Sequence, residues 1–484
     1  MDELPLVLDR ASHRPLADQL AAQLRDVAAR GHLRIGERLP STRALARSLA
    51  VSRTVTSAAY DQLYAEGWIT GRRGSGTYVA AVPPGFQQHH LPPQLDEDGE
   101  HSAIDLRPGS PWVAGIRVDA WRRAWRAASD ARPDPRPLPA GTSRFRAAVA
   151  EHLLRHRGVL VESASVLATG GTTAALGEVT RAVLRPGDQV AVEEPGYPRA
   201  IETLRAAGVI VRRAPVDREG LVIDRIPPEA RAVYCTPAHQ FPLGGRLPAA
   251  RRVALVEWAR SRRAWVIEDD YDGELRYDVA PLPVLAALDP DVVIYLGTAS
   301  KILSPTLGVG WLVGPSEITD AVIDLRIRTS TRPSAAGQRV MTAFAESGDL
   351  ARHFRRVRRE LGARRELVVQ TLTAAGLQVL GDQAGAHVVV PLASLAVERA
   401  VIRAAHEAGL AVDGLERCFD GRSSMFGLTL GYAAPAGQGQ LSGALDTLLV
   451  VAARTPAATA SAGNGDAVEG STSTLAYPKI SPGH

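Results

Sequence analysis

The chain has 484 residues, of which 45% are hydrophobic, 22% charged and 5% aromatic, and its formal net charge is +4. At roughly 100–200 residues per domain this length predicts two or three domains, and the ordinary globular composition excludes a mainly disordered chain. No run approaches the roughly 20 apolar residues of a membrane span, and Met1-Asp2-Glu3-Leu4-Pro5 lacks the basic and apolar parts of a signal peptide, so we expect a cytoplasmic protein.

Residues 1–80 form the first predicted domain, a small helical unit that ends in a hairpin. It contains eleven arginines against eight acidic residues and therefore carries +3 of the formal +4 charge. Ser41 is expected to cap one helix, on which Leu45 and Leu49 share a face, and Ser52 to cap the next. This order of elements is typical of a helix-turn-helix.

The second of these helices is predicted to present the side chains that read DNA. Val55, Ala59 and Leu63 recur every four residues and would face the core, leaving the N-terminal end of the helix exposed. Short polar and guanidinium groups at such an end can reach base edges in the major groove, and Arg53 is the expected base reader. The predicted DNA contacts in this region are Arg43, Ser52, Arg53 and Thr54, with Thr56 and Ser57 expected near the same exposed end.

Residues 68–70 and 77–79 read as the strands of a β-hairpin with a glycine-rich tip. Arg72, Arg73 and Gly76 of this wing are predicted to meet the phosphate backbone or the minor groove. Each element alone occurs in many small domains, and exposed arginines usually face solvent. Their joint order closely resembles the winged helix of GntR-type transcription regulators, in the segments Leu39-Pro40-Ser41-Thr42-Arg43, Val51-Ser52-Arg53-Thr54-Val55, Leu63-Tyr64-Ala65-Glu66-Gly67-Trp68-Ile69 and Gly74-Ser75-Gly76-Thr77-Tyr78-Val79.

The remainder of the chain is predicted to hold a linker, one large domain and a tail. Residues 81–103 lose hydrophobic periodicity and gather Pro, Gln and acidic residues, as interdomain linkers do. From 104 to 454, apolar runs of strand length alternate with helical stretches, which predicts an α/β domain with a mostly parallel sheet. Residues 455–484 are rich in Ala, Ser, Thr and Gly, and this composition predicts a disordered tail.

Four apolar runs of the α/β domain end in polar tips. The runs 190–192, 232–235, 265–267 and 292–296 precede the tips 193–197, 236–240, 268–271 and 297–301. Ligands of open α/β sheets bind outside the carboxyl ends of the strands, so the four tips are predicted to line one pocket. Lys301 ends the fourth tip, and it and Lys479 are the only lysines among 56 basic residues. A lysine kept where arginine is the rule suggests a task that needs a deprotonated amine, and a stray surface lysine is the alternative.

Strand alternation on the third tip predicts that Ile267, Asp269 and Tyr271 share one face while Glu268 and Asp270 share the other. An aspartate, a phenol and Lys301 together suggest pyridoxal 5′-phosphate. The lysine would form a Schiff base with the cofactor (the internal aldimine), Asp269 would keep the ring nitrogen protonated, and Tyr271 would hydrogen-bond the ring hydroxyl. A metal site is the less favoured alternative, because few acids and no suitable histidine spacing accompany this cluster.

A phosphate group needs a cradle, and residues 166–176 read as a strand, a glycine turn and a helix start whose free N–H groups suit an anion. Tyr197 is predicted to stack on the cofactor ring, and Arg199 to bind the carboxylate of an effector through its fork. The other predicted cofactor contacts are Gly171 and Thr172 in the glycine turn, Thr298 and Ser300 beside the lysine, and His239 and Gln240 on the second tip.

From about residue 104 to 454 the chain resembles fold-type I aminotransferases, and with the winged helix in front it is similar to the MocR subfamily of GntR regulators. The resemblance implies a head-to-tail homodimer in which a domain that binds pyridoxal phosphate senses a small amine, an amino acid or the cofactor itself and controls operator binding. The segments that carry it are Glu194-Pro195-Gly196-Tyr197-Pro198-Arg199, Thr236-Pro237-Ala238-His239-Gln240-Phe241-Pro242, Glu268-Asp269-Asp270-Tyr271-Asp272-Gly273-Glu274 and Gly297-Thr298-Ala299-Ser300-Lys301.

Several positions depart from the family pattern. Gly308 stands seven residues after Lys301, where the family usually carries an arginine for the cofactor phosphate. Residues 133–136 lack the tyrosine that such proteins often supply to the partner subunit's phosphate, and residues 426–432 hold no arginine that could clamp a substrate carboxylate. These departures predict weaker phosphate binding and leave open whether the effector is an ordinary amino acid.

Three readings of the function follow. The favoured one is a pyridoxal phosphate-binding transcription regulator with little reason to complete a catalytic cycle. The second is a working aminotransferase that carries a DNA-binding domain, and the missing arginine argues mildly against it. The third is a regulator that has lost the cofactor, which the retained Lys301, Asp269 and Tyr271 argue against.

Overall fold

The structure, a computed structural model, describes residues 4–29, 32–72, 76–81, 103–132, 135, 137–279 and 282–455. The chain divides into two compact units, residues 1–100 and 101–484. The predicted linker lies almost wholly outside the described residues, as do Arg73, most of the tail and three of residues 133–136.

The described residues of the first unit form three helices and a hairpin. Its elements are α1 (Leu16–Ala29), α2 (Thr42–Ser48), α3 (Arg53–Ala65), β1 (Ile69–Arg72) and β2 (Gly76–Val79). Buried apolar side chains from all three helices and both strands form one core, which includes Leu24, Leu45, Leu63, Ile69 and Val79.

Both helices of the helix-turn-helix begin at the serines that the sequence predicts. The Ser41 hydroxyl accepts a hydrogen bond from the Ala44 backbone N–H, and the Ser52 hydroxyl accepts one from Val55, at 3.2 and 3.4 Å. Such bonds satisfy backbone donors that have no partner within the first turn of a helix. The positions of α2 and α3 therefore follow from local sequence.

The hairpin and α3 differ from the sequence prediction in two details. Gly71, Arg72 and Gly76 belong to the paired strands, with Arg72 opposite Gly76, so they do not form a free tip as expected. Thr56 is fully buried and not exposed, because its hydroxyl donates to the Thr42 carbonyl at 2.9 Å and so ties α3 to α2.

The second unit contains ten helices and thirteen strands among the described residues. The helices are α4 (Val118–Ser129), α5 (Ser143–Arg157), α6 (Thr172–Val183), α7 (Pro198–Ala206), α8 (Ala249–Arg262), α9 (Ser316–Thr329), α10 (Ala335–Glu346), α11 (Asp349–Ala374), α12 (Leu395–Glu407) and α13 (Gln438–Arg454). The strands are β3 (Ile104–Asp105), β4 (Val166–Thr169), β5 (Gln189–Glu194), β6 (Ile210–Asp217), β7 (Gly220–Leu221), β8 (Ala232–Cys235), β9 (Trp265–Asp270), β10 (Val293–Thr298), β11 (Gly310–Val313), β12 (His387–Pro391), β13 (Leu410–Ala411), β14 (Asp413–Gly414) and β15 (Gly427–Gly431).

Eight strands form the central sheet, in the order β4-β11-β10-β9-β8-β5-β6-β7. The five strands from β10 to β6 pair in parallel, whereas β11 and β7 run antiparallel to their neighbours. This arrangement confirms the predicted α/β fold with a mostly parallel sheet. Strands buried on both faces read as continuous apolar runs, which is why the sequence revealed them.

Alternate residues of the strands pack into two cores on opposite faces of the sheet. Val233 and Val266 belong to the core that α5, α8 and α10 also line. Ile267 and Ile294 belong to the other core, which α6, α7 and α9 cover. The carboxyl ends of the parallel strands are thereby held at one edge.

A smaller sheet, in the order β12-β15-β14, follows α11 and packs with α12, and α13 packs with α11 and α12. Close to it, β3 pairs in parallel with β13, with Ile104 opposite Leu410. The first described residues of the second unit are therefore bound to elements near its end.

Three strands extend further than the sequence predicts, and one of them, β10, continues from its predicted run 292–296 to Thr298. The β5 strand continues through Glu193 and Glu194, and β9 continues through Asp270, although both were expected to end with their apolar runs. Within the part of the chain that the structure describes, no helix is both long and apolar enough to cross a membrane.

Candidate functional site

The second unit contains a cavity of about 410 Å³ at the carboxyl ends of β4, β5, β8, β9 and β10. The predicted residues that line it are Thr172, Tyr197, Arg199, Asp269, Tyr271 and Lys301. These side chains lie at or just after the ends of four strands, β4, β5, β9 and β10, and Thr236 after β8 also lines the cavity, as expected for an open α/β sheet.

Lys301 lies half-buried in the cavity, and its Nζ donates a hydrogen bond to the Gly109 carbonyl at 2.6 Å. Burial lowers the pKa of this amine, and the nearby carboxylates Asp272 and Asp269 partly oppose the shift. A lowered pKa raises the fraction of the neutral amine, which is the form that attacks a carbonyl.

Asp269 is buried at the end of β9 with only one of its carboxylate oxygens engaged. Oδ2 accepts a hydrogen bond from the Tyr234 hydroxyl at 2.5 Å, whereas Oδ1 is buried without a hydrogen-bond partner. Burial raises the pKa of Asp269 to about 7. The free oxygen is therefore placed to accept a hydrogen bond from a ligand in the cavity.

Tyr271 is held from behind by His239. The Tyr271 hydroxyl donates to the His239 carbonyl at 2.9 Å, and His239 Nδ1 lies 2.9 Å from Asp272 Oδ2. His387 stacks on His239 with ring centroids 4.9 Å apart, and its Nε2 lies 3.0 Å from the Pro242 carbonyl oxygen. Candidate ligand atoms of both histidines and Asp272 lie within 4.8 Å of one another, and hydrogen bonds engage all three side chains.

His239 and Gln240 do not line the cavity, although the sequence predicts that they contact the cofactor. Both are buried, and the Gln240 side chain donates to the Pro195 carbonyl at 2.9 Å. Their hydrogen bonds fix the segments that carry Tyr271 and Tyr197. His239 and Gln240 therefore position residues that line the cavity and do not line it themselves.

The predicted phosphate contacts cluster at the N-terminus of α6. Thr172 is the first residue of that helix and lines the cavity. The Thr298 and Ser300 hydroxyls lie 3.0 Å apart and, like Gly171, are not among the cavity-lining residues. Gly308, which stands where the family usually carries an arginine, is exposed, has a φ of +56° and is not among the cavity-lining residues.

The outer part of the cavity carries charged side chains that the sequence did not reveal. Arg107 donates to Asp105 at 2.9 Å, and Arg417 pairs with Asp413. The exposed Arg199 lines the same region, and no hydrogen bond or ion pair joins its side chain to a described residue. A zwitterionic or anionic ligand would meet charges of both signs here.

The segment that follows β3 is the largest part of the wall that the sequence missed. It lines the cavity from Arg107 through Pro108, Gly109 and Ser110 to Pro111. The turn-forming Pro108-Gly109-Ser110-Pro111 was the only local signal, and it does not show which site the turn would reach.

The residues in the cavity fit pyridoxal 5′-phosphate. The free Asp269 oxygen matches a protonated ring nitrogen, the Lys301 amine matches an aldehyde, and the start of α6 matches a phosphate. The Tyr197 and Phe241 rings, 5.6 Å apart and edge to face, add an aromatic wall.

The first unit exposes most of its predicted DNA contacts. Arg43, Arg53 and Thr54 are exposed, and Arg53 is the first residue of α3. The Ser52 hydroxyl already accepts the capping hydrogen bond, so its first role is to begin the helix. Arg72 and Gly76 face each other across the hairpin, and Arg73 lies outside the described residues.

Comparison with known proteins matches both units. The gntR family of bacterial regulatory proteins matches residues 16–79, and the aminotransferase class I and II family matches residues 114–419. The aminotransferase match implies pyridoxal phosphate binding, and the gntR match implies binding to operator DNA.

Two regulators resemble the chain over most of its length. The HTH-type pyridoxine biosynthesis transcriptional regulator PdxR of Corynebacterium glutamicum is 36% identical over 439 residues, which cover 89% of this chain and 95% of that protein. The probable rhizopine catabolism regulatory protein MocR of Rhizobium meliloti is 33% identical over 453 residues, which cover 88% and 92%.

A solved aminotransferase shares the fold of the second unit. The kynurenine aminotransferase of Pyrococcus horikoshii, in complex with PMP, is 25% identical with a TM-score of 0.65 and covers 72% of this chain and 90% of its own. With both units matched in the same order as in the two regulators, the chain belongs to the MocR subfamily of GntR-type transcription regulators.

Proposed function

We propose that the chain is a pyridoxal phosphate-dependent transcription regulator that senses a small amine, an amino acid or the cofactor itself. The observation that carries this proposal is the convergence in one cavity of the Lys301 amine, the unpartnered Asp269 oxygen and Tyr271. We assign DNA binding to residues 1–80, a linker to 81–103, and cofactor binding and head-to-tail homodimerisation to 104–454.

The chain's own residues divide the work of holding the cofactor. Asp269 would keep a proton on the ring nitrogen, and Tyr271 would hydrogen-bond the ring oxygen. Thr172 and the N–H groups of α6 would hold the phosphate, with Thr298 and Ser300 beside them. When bound, pyridoxal phosphate supplies an aldehyde that condenses with primary amines.

The effector end of the cavity is assigned to Arg199. Its exposed guanidinium has no acidic partner among the described residues, whereas the side chains of Arg107 and Arg417 each pair with an aspartate. An effector carboxylate would therefore find Arg199 available without breaking an ion pair. The name of the relative PdxR, a regulator of pyridoxine biosynthesis, supports the cofactor itself as a second candidate effector.

Absorbance of the purified protein with added pyridoxal phosphate tests the proposal. We expect an absorbance band in the violet. Borohydride reduction should then attach the cofactor permanently to the peptide that contains Lys301. Lys301→Ala should abolish the band and leave basal DNA binding intact. Lys479→Arg is the matched control, since it removes the only other lysine and should change neither property. Absence of a band at saturating cofactor would leave the cofactor-free regulator as the correct reading.

A working aminotransferase is the second candidate function, because the second unit shares its fold with enzymes of that class. Steady turnover of an amino donor with a keto acid, lost in Lys301→Ala, would favour it. A single half-reaction without turnover would favour the regulator.

A further inference from the structure

A second groove, separate from the cofactor cavity, runs along α11. It has a volume of about 970 Å³ and lies between one face of that helix and the residues Arg276, Tyr277 and Gln383. The charged residues that line it are Arg276, Arg355, Arg358, Arg359, Arg365 and Glu366.

Four of the five arginines have no carboxylate partner among the residues that the structure describes. Only Arg276 is neutralised, by Asp278 at 2.9 Å and Asp382 at 2.8 Å. Arg358 donates to the Arg276 carbonyl, and Arg365 to the Asp382 carbonyl at 3.0 Å. These bonds fix both side chains while leaving their positive charge uncompensated.

Arg355 and Arg359 are exposed and form no hydrogen bond or ion pair with any described residue. They lie four residues apart, so they project from the same face of α11, and Arg358, Arg365 and Glu366 flank them. The groove therefore concentrates four unpaired guanidinium groups against one carboxylate.

The shape of the groove suits an extended anion more than a small one. The lining positions of α11 run from Arg355 to Gln370, which at about 1.5 Å per residue is a row of roughly 22 Å. Gly362 and Ala363 lie in the middle of this row, where the absence of a bulky side chain at either position deepens the groove. Duplex DNA carries one phosphate per about 1.7 Å of axis, so such a row faces several phosphates at once.

The geometry points to this groove as a binding surface for the phosphate backbone of duplex DNA that flanks the operator. The inference rests on the proposed function, since the winged helix must first hold DNA. The linker ties that DNA to the second unit and raises its effective concentration at the groove. Arginine forks suit phosphate oxygens, and contacts of this kind add affinity without reading sequence.

The test compares two duplexes, both derived from a site that the wild-type full-length protein selects from a random-sequence pool. The short duplex contains only the selected site, and the long duplex adds further helical turns on each side. Affinities are measured by fluorescence anisotropy over a range of salt concentrations. The groove variant is Arg355→Ala with Arg359→Ala, and the matched control is Arg181→Ala with Arg185→Ala, two exposed arginines that line no part of the groove.

We expect wild type and control to bind the long duplex more tightly than the short one. At low to moderate salt the groove variant should bind the long duplex about tenfold more weakly than wild type, and its salt slope should be smaller by about 2. On the short duplex it should match wild type. Equal affinity of the groove variant and the control for the long duplex would overturn the inference, and so would equal affinity of wild type for the two duplexes.

A failure of the proposed function gives a different result. Arg53→Ala should weaken binding to both duplexes by about fivefold or more, because it removes the predicted contact to a base edge. If no duplex is selected, or if Arg53→Ala binds both as wild type does, the DNA-binding assignment of α3 fails. Both groove residues are exposed and unbonded, so an unchanged melting temperature verifies that their removal does not disturb the fold.

Discussion

Asp269 shows how a buried carboxylate can prepare a site for a ligand. One oxygen is held by Tyr234, the other has no partner, and burial raises its pKa to about 7. Burying an ionised carboxylate is costly, so burial favours the protonated form of Asp269, and the positive charge of Lys301 partly opposes this effect. A protonated ring nitrogen would supply the missing partner and favour the ionised carboxylate.

The pH dependence of stability tests this account. The pKa of Asp269 is higher in the folded than in the unfolded chain, so its contribution is complete below pH 4 and is lost as the pH rises to about 7. As the pH rises over this window, the free energy of unfolding of wild type without cofactor should fall more steeply than that of Asp269→Asn, by up to about 1.4 kcal/mol per pH unit. Thermal unfolding between pH 4 and 8 measures the difference.

Glu193 and Glu268, whose pKa burial also raises to about 7, contribute to both proteins and cancel in the comparison. Asp130→Asn, at an exposed position, is the control and should follow wild type. Parallel curves for Asp269→Asn and wild type would show that Asp269 is ionised in the folded protein.

Gly308 gives a second prediction at the residue scale. An arginine here would restore a charged hydrogen bond to the phosphate, which contributes about 1.5–3 kcal/mol. The φ of +56° costs any other residue about 1 kcal/mol, so Gly308→Ala isolates that backbone effect. Relative to Gly308→Ala, Gly308→Arg should bind pyridoxal phosphate about tenfold more tightly. Spectroscopic titration measures both constants, and equal constants would show that position 308 does not reach the phosphate.

At the scale of elements, the capping serines decide where the helices of the DNA-binding unit begin. Ser52 combines a capping hydroxyl with a position next to the expected base reader Arg53. Ser52→Ala should cost about 1 kcal/mol and speed amide hydrogen exchange at the start of α3 about fivefold. Ser57→Ala, inside the same helix, is the control and should leave that exchange unchanged. Equal exchange in the two variants would mean that packing alone fixes the helix start.

Local patterns predicted most elements, and the errors have a common cause. Apolar runs marked the core of β5 and β9, yet both strands continue through acidic residues. Glu268 accepts hydrogen bonds from the Leu285 and Ala286 N–H groups, and Asp270 pairs with the buried Arg157. Partners that are distant in sequence make these carboxylates tolerable inside a sheet, and a sequence window cannot show them.

At the scale of the whole molecule, the same contrast separates what sequence could predict from what it could not. Hydrophobic runs predicted the α/β fold, and the scarcity of lysine singled out Lys301. Strand alternation placed Asp269 and Tyr271 on the same face. Arg107 and Arg417 come from opposite ends of the second unit, and only the folded chain brings them to one cavity. The run of arginines in α11 can be read from the sequence. That four of the groove's arginines have no carboxylate partner among the described residues can be seen only in the structure.

The hydrogen bond between Lys301 and the Gly109 carbonyl makes the cavity a site of competition. An aldehyde that engages the amine must displace Gly109, and with it a contact that anchors residues 103–111, the first described residues after the linker. Because binding free energies are reciprocal, the free energy lost by that segment lowers ligand affinity by the same amount. A change that weakens the contact between Lys301 and Gly109 would therefore free the amine for an aldehyde, and a ligand that engages the amine would weaken this contact by the same free energy.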